Sequence, residues 1–392
     1  MIKYSRTYNP ADCYGCGACE QICGHGALLL KPDSEGFLYP EIDANKCTNC
    51  GLCEKVCPID IFPEGNVKKT IAAQYQDPSL MDSASGGMFK AIADYVIANN
   101  GYVAGCVFDE AFNAVHMLSS SKEDIVRMQG SKYVQSKIGD VYKQIRQKLR
   151  SDILVLFSGT PCQVAGLKKF LMKDYDNLIT IDLICHGVPS PSLLQNYLDS
   201  TYRKSNNEVV DFKFRNKRKN GWRSQGSVTT CNNGKIKEKR TSPYTDSYYY
   251  YYYLANDVSR ICCYSCKYST TNRISDITIG DYWNIQNILN DFNYKNGASV
   301  ALINTDKGQR IIDAIANRLN QRETTLQDAV SANGNLQEPS KMPETRNLIY
   351  KQIEREGYEA VAKKECHFQY IKPAIIRWLP SSLKKYIKKL IR

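Results

Sequence analysis

Apolar residues recur with a helical period from Gly87 to Asn99, where Met88, Phe89, Ile92, Tyr95 and Val96 fall at three- and four-residue steps before Asn99-Asn100-Gly101 ends the run. YVAGCVFD, from Tyr102, then reads as a strand. ILVLF, Ile153 to Phe157, is a short continuous apolar run followed by Ser158-Gly159-Thr160-Pro161 and by helical periodicity from Val164 to Leu171, which predicts strand, turn and helix. A second such run, Leu178 to Cys185, ends in His186-Gly187-Val188-Pro189, with a helix expected from Ser192 to Tyr202. From 209 to 240 the texture changes: VVDFKF, SVTT and KIKEKR, separated by Asn-Gly pairs, predict antiparallel strands with tight turns. Ile277 to Ile279 and Ala298 to Asn304 are further strand candidates, and Lys307 to Leu319 is an amphipathic helix candidate.

Strands alternating with helices of this length imply parallel pairs with crossovers, and the antiparallel additions make the sheet mixed. The fold class expected is α/β, with a small α+β unit in front of a larger mixed-sheet α/β domain. Ile61 to Lys69, with its proline, glycine and charges, reads as the linker between them. The division is therefore 1–65, 66–365 and a tail, 366–392. Ligands in sheets of this kind gather at the carboxyl ends of the parallel strands.

The small unit owes its character to cysteine, not to apolar period. Cys13-Cys16-Cys19-Cys23 and Cys47-Cys50-Cys53-Cys57 are two copies of Cys-x2-Cys-x2-Cys-x3-Cys. This is the run that wraps a cubane iron–sulfur cluster, the fourth cysteine ligating the other cluster. One [4Fe-4S] cluster is thus expected on Cys13, Cys16, Cys19 and Cys57, and a second on Cys47, Cys50, Cys53 and Cys23. Three thiolates within seven residues converge only if the chain turns tightly, and Gly15, Gly17 and Gly51 stand between ligands where a bare backbone can approach sulfide. Pro58 follows Cys57 as in bacterial ferredoxins, whereas Gly24 and His25 follow Cys23. Zinc sites rarely use this spacing, and a disulfide framework would need an exported chain.

MIKYSRTYNP has no apolar core of signal-peptide length, so a cytoplasmic protein with reduced cysteines is expected. The net charge of +12 is scattered, with much of the excess at the C-terminus, and no nucleic-acid partner is expected from it. Residues 371–392 contain no acid and interleave basic residues with Ile, Leu, Trp and Tyr, the pattern of a helix lying on the inner face of an anionic membrane. Partner docking and a solvated or packed end are the competing readings.

Eight cysteines remain. Cys106 and Cys231 look like strand residues, and Cys366 falls in the tail. Cys162 and Cys185 each follow an apolar strand, and Cys263-Tyr-Ser-Cys266 supplies a Cys-x2-Cys pair, so four thiolates on three loops are available for a third cluster. Cys162, at a helix start, would otherwise be an inert cap or a redox nucleophile of lowered pKa.

From Ser83 onward the chain resembles the C-terminal domain of the coenzyme F420 hydrogenase/dehydrogenase beta-subunit family. The residues that carry the resemblance are Ser83-Ala-Ser-Gly-Gly87, Gln129-Gly-Ser-Lys-Tyr-Val-Gln-Ser136, Val155-Leu-Phe-Ser-Gly-Thr-Pro-Cys-Gln-Val-Ala-Gly166 and Asp182-Leu-Ile-Cys-His-Gly-Val-Pro-Ser190, then Asn220-Gly-Trp222, Cys263-x2-Cys266 and Ser275-Asp-Ile-Thr-Ile-Gly-Asp-Tyr-Trp283. The resemblance implies FAD, a cubane inside this domain, and exchange with a redox partner or the deazaflavin coenzyme. Carried over residue by residue, Cys162, Cys185, Cys263 and Cys266 are the third cluster's candidates, with Cys262 an extra neighbour. The chain looks most like bacterial members that are fused to a two-cluster ferredoxin and lie among cell-surface polysaccharide genes.

The chain has no Gly-x-Gly-x-x-Gly fingerprint, so a flavin must be held otherwise. Ser85, Gly86 and Gly87 open a helix whose amides suit a pyrophosphate. Gln129, Ser131, Lys132 and Tyr133 add polar groups and a cation, and Gly159 and Thr160 sit at the turn after a strand. His186 and the tyrosines 248–253 are expected to be structural, and no catalytic acid or base is assigned. The activity expected is a flavin-dependent iron–sulfur oxidoreductase that takes electrons from a ferredoxin-like donor and reduces an organic substrate. The alternative is an electron carrier that exchanges electrons with coenzyme F420 or a partner enzyme, without a substrate of its own.

Overall fold

The computed structural model describes residues 2–3, 9–204, 207–242 and 246–366. Strands β1 (Ile2–Lys3), β2 (Leu28–Pro32) and β3 (Leu38–Ile42) make a small antiparallel sheet with β3 in the middle. Then come β4 (Lys69–Tyr75), β5 (Tyr102–Phe108), β6 (Ala114–Ser119), β7 (Val155–Gly159) and β8 (Leu178–Leu183). β9 (Glu208–Lys213), β10 (Gly226–Asn232) and β11 (Lys235–Thr241) form a separate antiparallel sheet, as the Asn-Gly turns predict. β12 (Ile277–Asp281), β13 (Ser299–Ile303) and β14 (Leu319–Thr324) return to the large sheet, whose order is β14-β4-β13-β12-β8-β7-β5-β6. Its centre, β12-β8-β7-β5, is parallel, and antiparallel strands flank it on both sides. The sheet is thus mixed α/β, and Phe108, Gly159, Leu183 and Asp281 end their strands on one edge.

Helices cover both faces, which is why the central strands are buried along most of their length, even at Thr180, Asp182 and Thr278. Met88, Ala91, Ile92 and Val96 of the helix Met88–Ala98 pack on Val103, Leu156, Ile179, Ile277 and Ala301. On the other face Tyr142, Ile145 and Leu149 of Val141–Arg150, with Val164, Leu167 and Phe170 of Pro161–Leu171, cover Ala104, Val155, Phe157 and Leu178. The helix expected from Val164 begins at Pro161, because Thr160 and Gln163 form a reciprocal capping box and proline needs no N–H in the first turn. The helix expected over Lys307 to Leu319 is Asp306–Ala314, and Leu319 instead opens β14. That strand, LNQRET, has no apolar alternation; the unpaired edge of β4 recruits its backbone.

Tyr248, Tyr249 and Tyr251 are buried in a core with Leu194, Tyr197, Phe212, Phe214 and Tyr358, so the tyrosine run serves packing. Asp246 lies in that core and accepts a hydrogen bond from the Tyr197 hydroxyl. Burial pushes its carboxyl up from 3.8 to about 6. A folded-state value above the unfolded one means the native protein holds the proton more tightly. Stability should therefore fall as pH rises from about 4 to about 6 and level off above. Denaturation across that window checks this, and Asp246→Asn should flatten that part of the profile.

Among the described residues, no helix is long and apolar enough to cross a membrane. The basic tail, beyond Cys366, lies outside the described residues.

Candidate functional site

The first cysteine run turns through Gly15 and Gly17 at φ +65° and +75°, a region that favours glycine. Gly17 starts the short helix Ala18–Ile22, which carries Cys19, and Gly51, at φ +71°, likewise starts Leu52–Lys55, which carries Cys53. A cavity of about 30 Å³ is walled by Cys13, Cys16, Cys19 and Cys57, together with Asp12, Tyr14, Gly15, Gly17, Leu30, Pro40 and Pro58. Three of these thiols come from the first run and the fourth from the second. Burial, and then the neighbouring thiols Cys57, Cys13 and Cys162, push the Cys16 thiol far up. Cys19 is raised in the same way, by burial and by Cys16, Cys13, Cys57 and Cys53. Thiols gathered against their own repulsion in an apolar wall give up their protons when a cationic centre takes its place among them, so the donor set fits a cluster. Among the described residues no group of three or more His, Cys, Asp or Glu is gathered closely enough to hold a metal ion; these thiols line a space and do not close on a point.

Of the other four, Cys50 is exposed and Cys23, Cys47 and Cys53 are half-buried. The Asp43 N–H donates to the Ala27 carbonyl, which puts the turn after Cys23 beside the loop that leads to Cys47. The residues in place of proline after Cys23 wrap their amides toward its sulfur. Burial is the largest single influence on this thiol and raises it. The N–H groups of Ala27, His25, Leu28 and Gly26 together outweigh burial and bring it below its usual value. A sulfur that already accepts backbone donors is suited to a metal.

Cys162, Cys185, Cys263 and Cys266 also come together. Burial and then Cys266 raise the Cys162 thiol, with Cys185 and Cys263 adding to it, while the Thr160 hydroxyl lies 3.1 Å from its sulfur. Burial and Cys263 push Cys185 up to about 12. Cys266 is raised by burial and Cys263, and Cys263 by a hydrogen bond with buried Cys262 ahead of burial. Gly187, at φ +111°, lets the loop after Cys185 approach: a side chain there would stand 2.7 Å from Ser259 Oγ and 3.2 Å from Cys263 Cβ. Buried Arg273 fastens the loop after Cys266 to β8, donating to the carbonyls of Tyr268 and Thr270 and, at 2.9 Å, to Asp182.

This set and the first run interlock. Gly166 sits one turn beyond Cys162 on the same helix, and a Cβ on it would lie 2.9 Å from Cys16 Sγ. Tyr14 and Tyr268 meet edge-on at 5.3 Å, and the Tyr268 hydroxyl donates to the Pro58 carbonyl.

The loops expected around a flavin converge at the carboxyl ends of β5 and β7. The Gln129 amide donates to Ser83 Oγ and the Gln163 amide to Ser136 Oγ, tying all three loops together. Gln129 Oε1 is buried and has no partner among the described residues. Lys132, half-buried, donates to the carbonyls of Arg127, Met128, Gln129 and Gly130 at the end of the helix Lys122–Met128, and desolvation brings it down to about 8. Ser131 is half-buried beside it, and Tyr133 stacks on Tyr252 at 5.3 Å. Gly87 starts its helix at φ +81°. The Gly86 N–H, by contrast, is donated to Ser299 Oγ, and a Cβ there would lie 2.2 Å from the Ala73 carbonyl. Ser85 Oγ donates to the Ala298 carbonyl. These contacts account for Ser-Gly-Gly as packing against β13. Gly159 has Gln163 and the Phe157 ring against it.

Four buried arginines escaped the sequence reading: Arg215, Arg260, Arg273 and Arg346. No spacing signals them, since each has a partner far along the chain: Asp281 for Arg215, the Cys13 carbonyl for Arg260, Asp182 for Arg273 and Glu35 for Arg346. The tryptophans of Asn220-Gly-Trp222 and Asp281-Tyr-Trp283 were legible, and they stack at 5.2 Å with the Trp222 N–H on Asp281.

Residues 153–328 match the family described as the C terminus of the coenzyme F420 hydrogenase/dehydrogenase beta subunit, and residues 12–61 match the 4Fe-4S dicluster domain. Within the large domain, this stretch is of the F420 hydrogenase/dehydrogenase beta-subunit type. The chain is accordingly an iron–sulfur electron-transfer protein, with a beta-subunit domain behind a dicluster domain. A chain of the xenon-derivatized F420-reducing [NiFe] hydrogenase complex from Methanosarcina barkeri is 16% identical, with a TM-score of 0.44, covering 76% of this chain and 91% of that one. That likeness is too slight to bear on function. No curated protein matches the chain.

Proposed function

We propose that the chain is an oxidoreductase in which Cys13, Cys16, Cys19 and Cys57 hold one [4Fe-4S] cluster, Cys47, Cys50, Cys53 and Cys23 a second, and Cys162, Cys185, Cys263 and Cys266 a third, with FAD beside the loops at 129–133 and 158–160. The parts are a two-cluster unit, 1–65, a flavin and iron–sulfur domain, 66–365, and a basic tail. The cavity walled by Cys13, Cys16, Cys19 and Cys57 carries the reading, because four thiols from two distant runs surround one space. When bound, the clusters move single electrons and FAD converts them into a two-electron reduction of an organic acceptor.

The protein's own residues supply the order. Exposed Cys50 marks the end open to a ferredoxin-like donor. Cys53 lies near enough to Cys19 to raise it, linking the second site to the first. The bare backbone at Gly166 lets the helix of Cys162 close on Cys16, linking the first to the third. The four thiols beyond that point are half-buried, with Cys262 fully buried beside them, and none is exposed as Cys50 is.

The family description favours one second reading: an electron carrier that exchanges electrons with coenzyme F420 or a partner enzyme. Oxidation of the reduced deazaflavin by the purified chain would select it. Anaerobic reconstitution tests both readings. About twelve irons, from three four-iron cubanes, and about one FAD per chain are expected. A folded, colourless protein holding zinc alone would end the proposal.

A further inference from the structure

Arg260 is among the largest side chains in the protein that are fully buried, at 0% exposure. A guanidinium cannot shed its charge, so burying one demands compensation. Among the described residues no carboxylate forms an ion pair with it. Nε donates to the Cys13 carbonyl at 2.8 Å, Nη1 reaches Gln135 Oε1 at 3.5 Å, and the guanidinium lies 3.8 Å from the centre of the Tyr39 ring. Nη2 is buried with no partner among the described residues. The backbone of Arg260 belongs to the other cysteine set: its N–H donates to the Val188 carbonyl and its carbonyl accepts from the Cys263 N–H. Burial opposes its charge, and the groups that favour it most are Cys13, Cys262, Tyr39 and Cys263, with the Asp33 carboxylate also feeling its charge. Most of the compensation for the charge therefore comes from sulfur on both sides of it.

We propose that Arg260 is a potential-setting residue, one buried positive charge shared between the cluster site of Cys13 and the cluster site of Cys263. The inference rests on the ligation proposed above. Reduction adds one electron, and so one negative charge, to a cluster. A fixed cation nearby in a poorly screened interior stabilises that added charge and raises the reduction potential of both sites. Cys47, Cys50 and Cys53 are not among the groups that act most strongly on Arg260, and their site should not respond. The residue positions charge and does not itself touch a substrate.

The test is a dithionite titration of the anaerobically reconstituted full chain, followed by electron paramagnetic resonance, for wild type, Arg260→Met, Arg260→Gln and Arg260→Lys. The neutral variants should make two of the three clusters about tenfold harder to reduce, a fall of about 59 mV for one electron, and leave the third unmoved. Arg260→Lys, which keeps the charge, should stay within about threefold of wild type. Neutral variants with full iron and wild-type potentials would overturn the proposal, as would failure of all three variants to fold, which would mark Arg260 as scaffold. A wild-type chain that binds no iron would instead defeat the ligation scheme, so the two failures are distinguishable.

Discussion

Cys13→Ala and Cys57→Ala should each cost the protein about four irons, and the double variant should cost no more than either alone. Residues separated by more than forty positions would then behave as one ligand set, which is what a shared cavity wall demands. Cys13→Ala with Cys23→Ala should instead cost about eight irons, since these two neighbours in sequence serve different clusters. Iron analysis and electron paramagnetic resonance of the four proteins decide the matter. A loss of about eight irons from the Cys13→Ala, Cys57→Ala pair would show that each run holds its own cluster, and the crossed arrangement would be wrong.

The second large effect is at Arg273, which is 2% exposed and pairs with Asp182, itself 0% exposed. Arg273→Met strands that carboxylate, one of whose oxygens already has no partner among the described residues. Removing one partner of a buried ion pair costs about 3–5 kcal/mol. The cost should show as a lowered denaturation midpoint of the anaerobically handled full chain. Asp182→Leu added to Arg273→Met should recover most of it, because an apolar pair leaves no charge to desolvate. The single variant should also lose about four irons, those of the inner site, since Arg273 ties the loop of Cys266 to the strand that leads to Cys185. A midpoint within the scatter of wild type would mean the pair is solvated and holds neither loop.

How much could be read in advance differs from element to element. The strand over Val155 to Gly159 and the helix behind it announced themselves because an apolar run beside a turn and a 3.6-residue period is a local property. β14 did not, because LNQRET acquires strand geometry from the edge of β4 and from nothing in its own side chains. The Ser85–Gly87 stretch shows a different limit. Its composition suits an anion, yet the Gly86 N–H and the Ser85 hydroxyl are both committed to β13 and the residue before it. Which amides remain free depends on the neighbouring strand, and local sequence does not encode that.

By itself, the order of residues determined the chemistry at hand: two cysteine runs with turning glycines, a Cys-x2-Cys pair, and a mixed sheet whose parallel strands end in loops. Spacing within seven residues restricts a chain so tightly that ligation geometry becomes a local matter. Only the folded chain decided which loops are neighbours. The close approach of Gly166 to Cys16, the seat of Arg260 between two sulfur sets, and the clamp of Arg273 on Asp182 each join residues separated by roughly ninety or more positions, and packing alone brings such residues together.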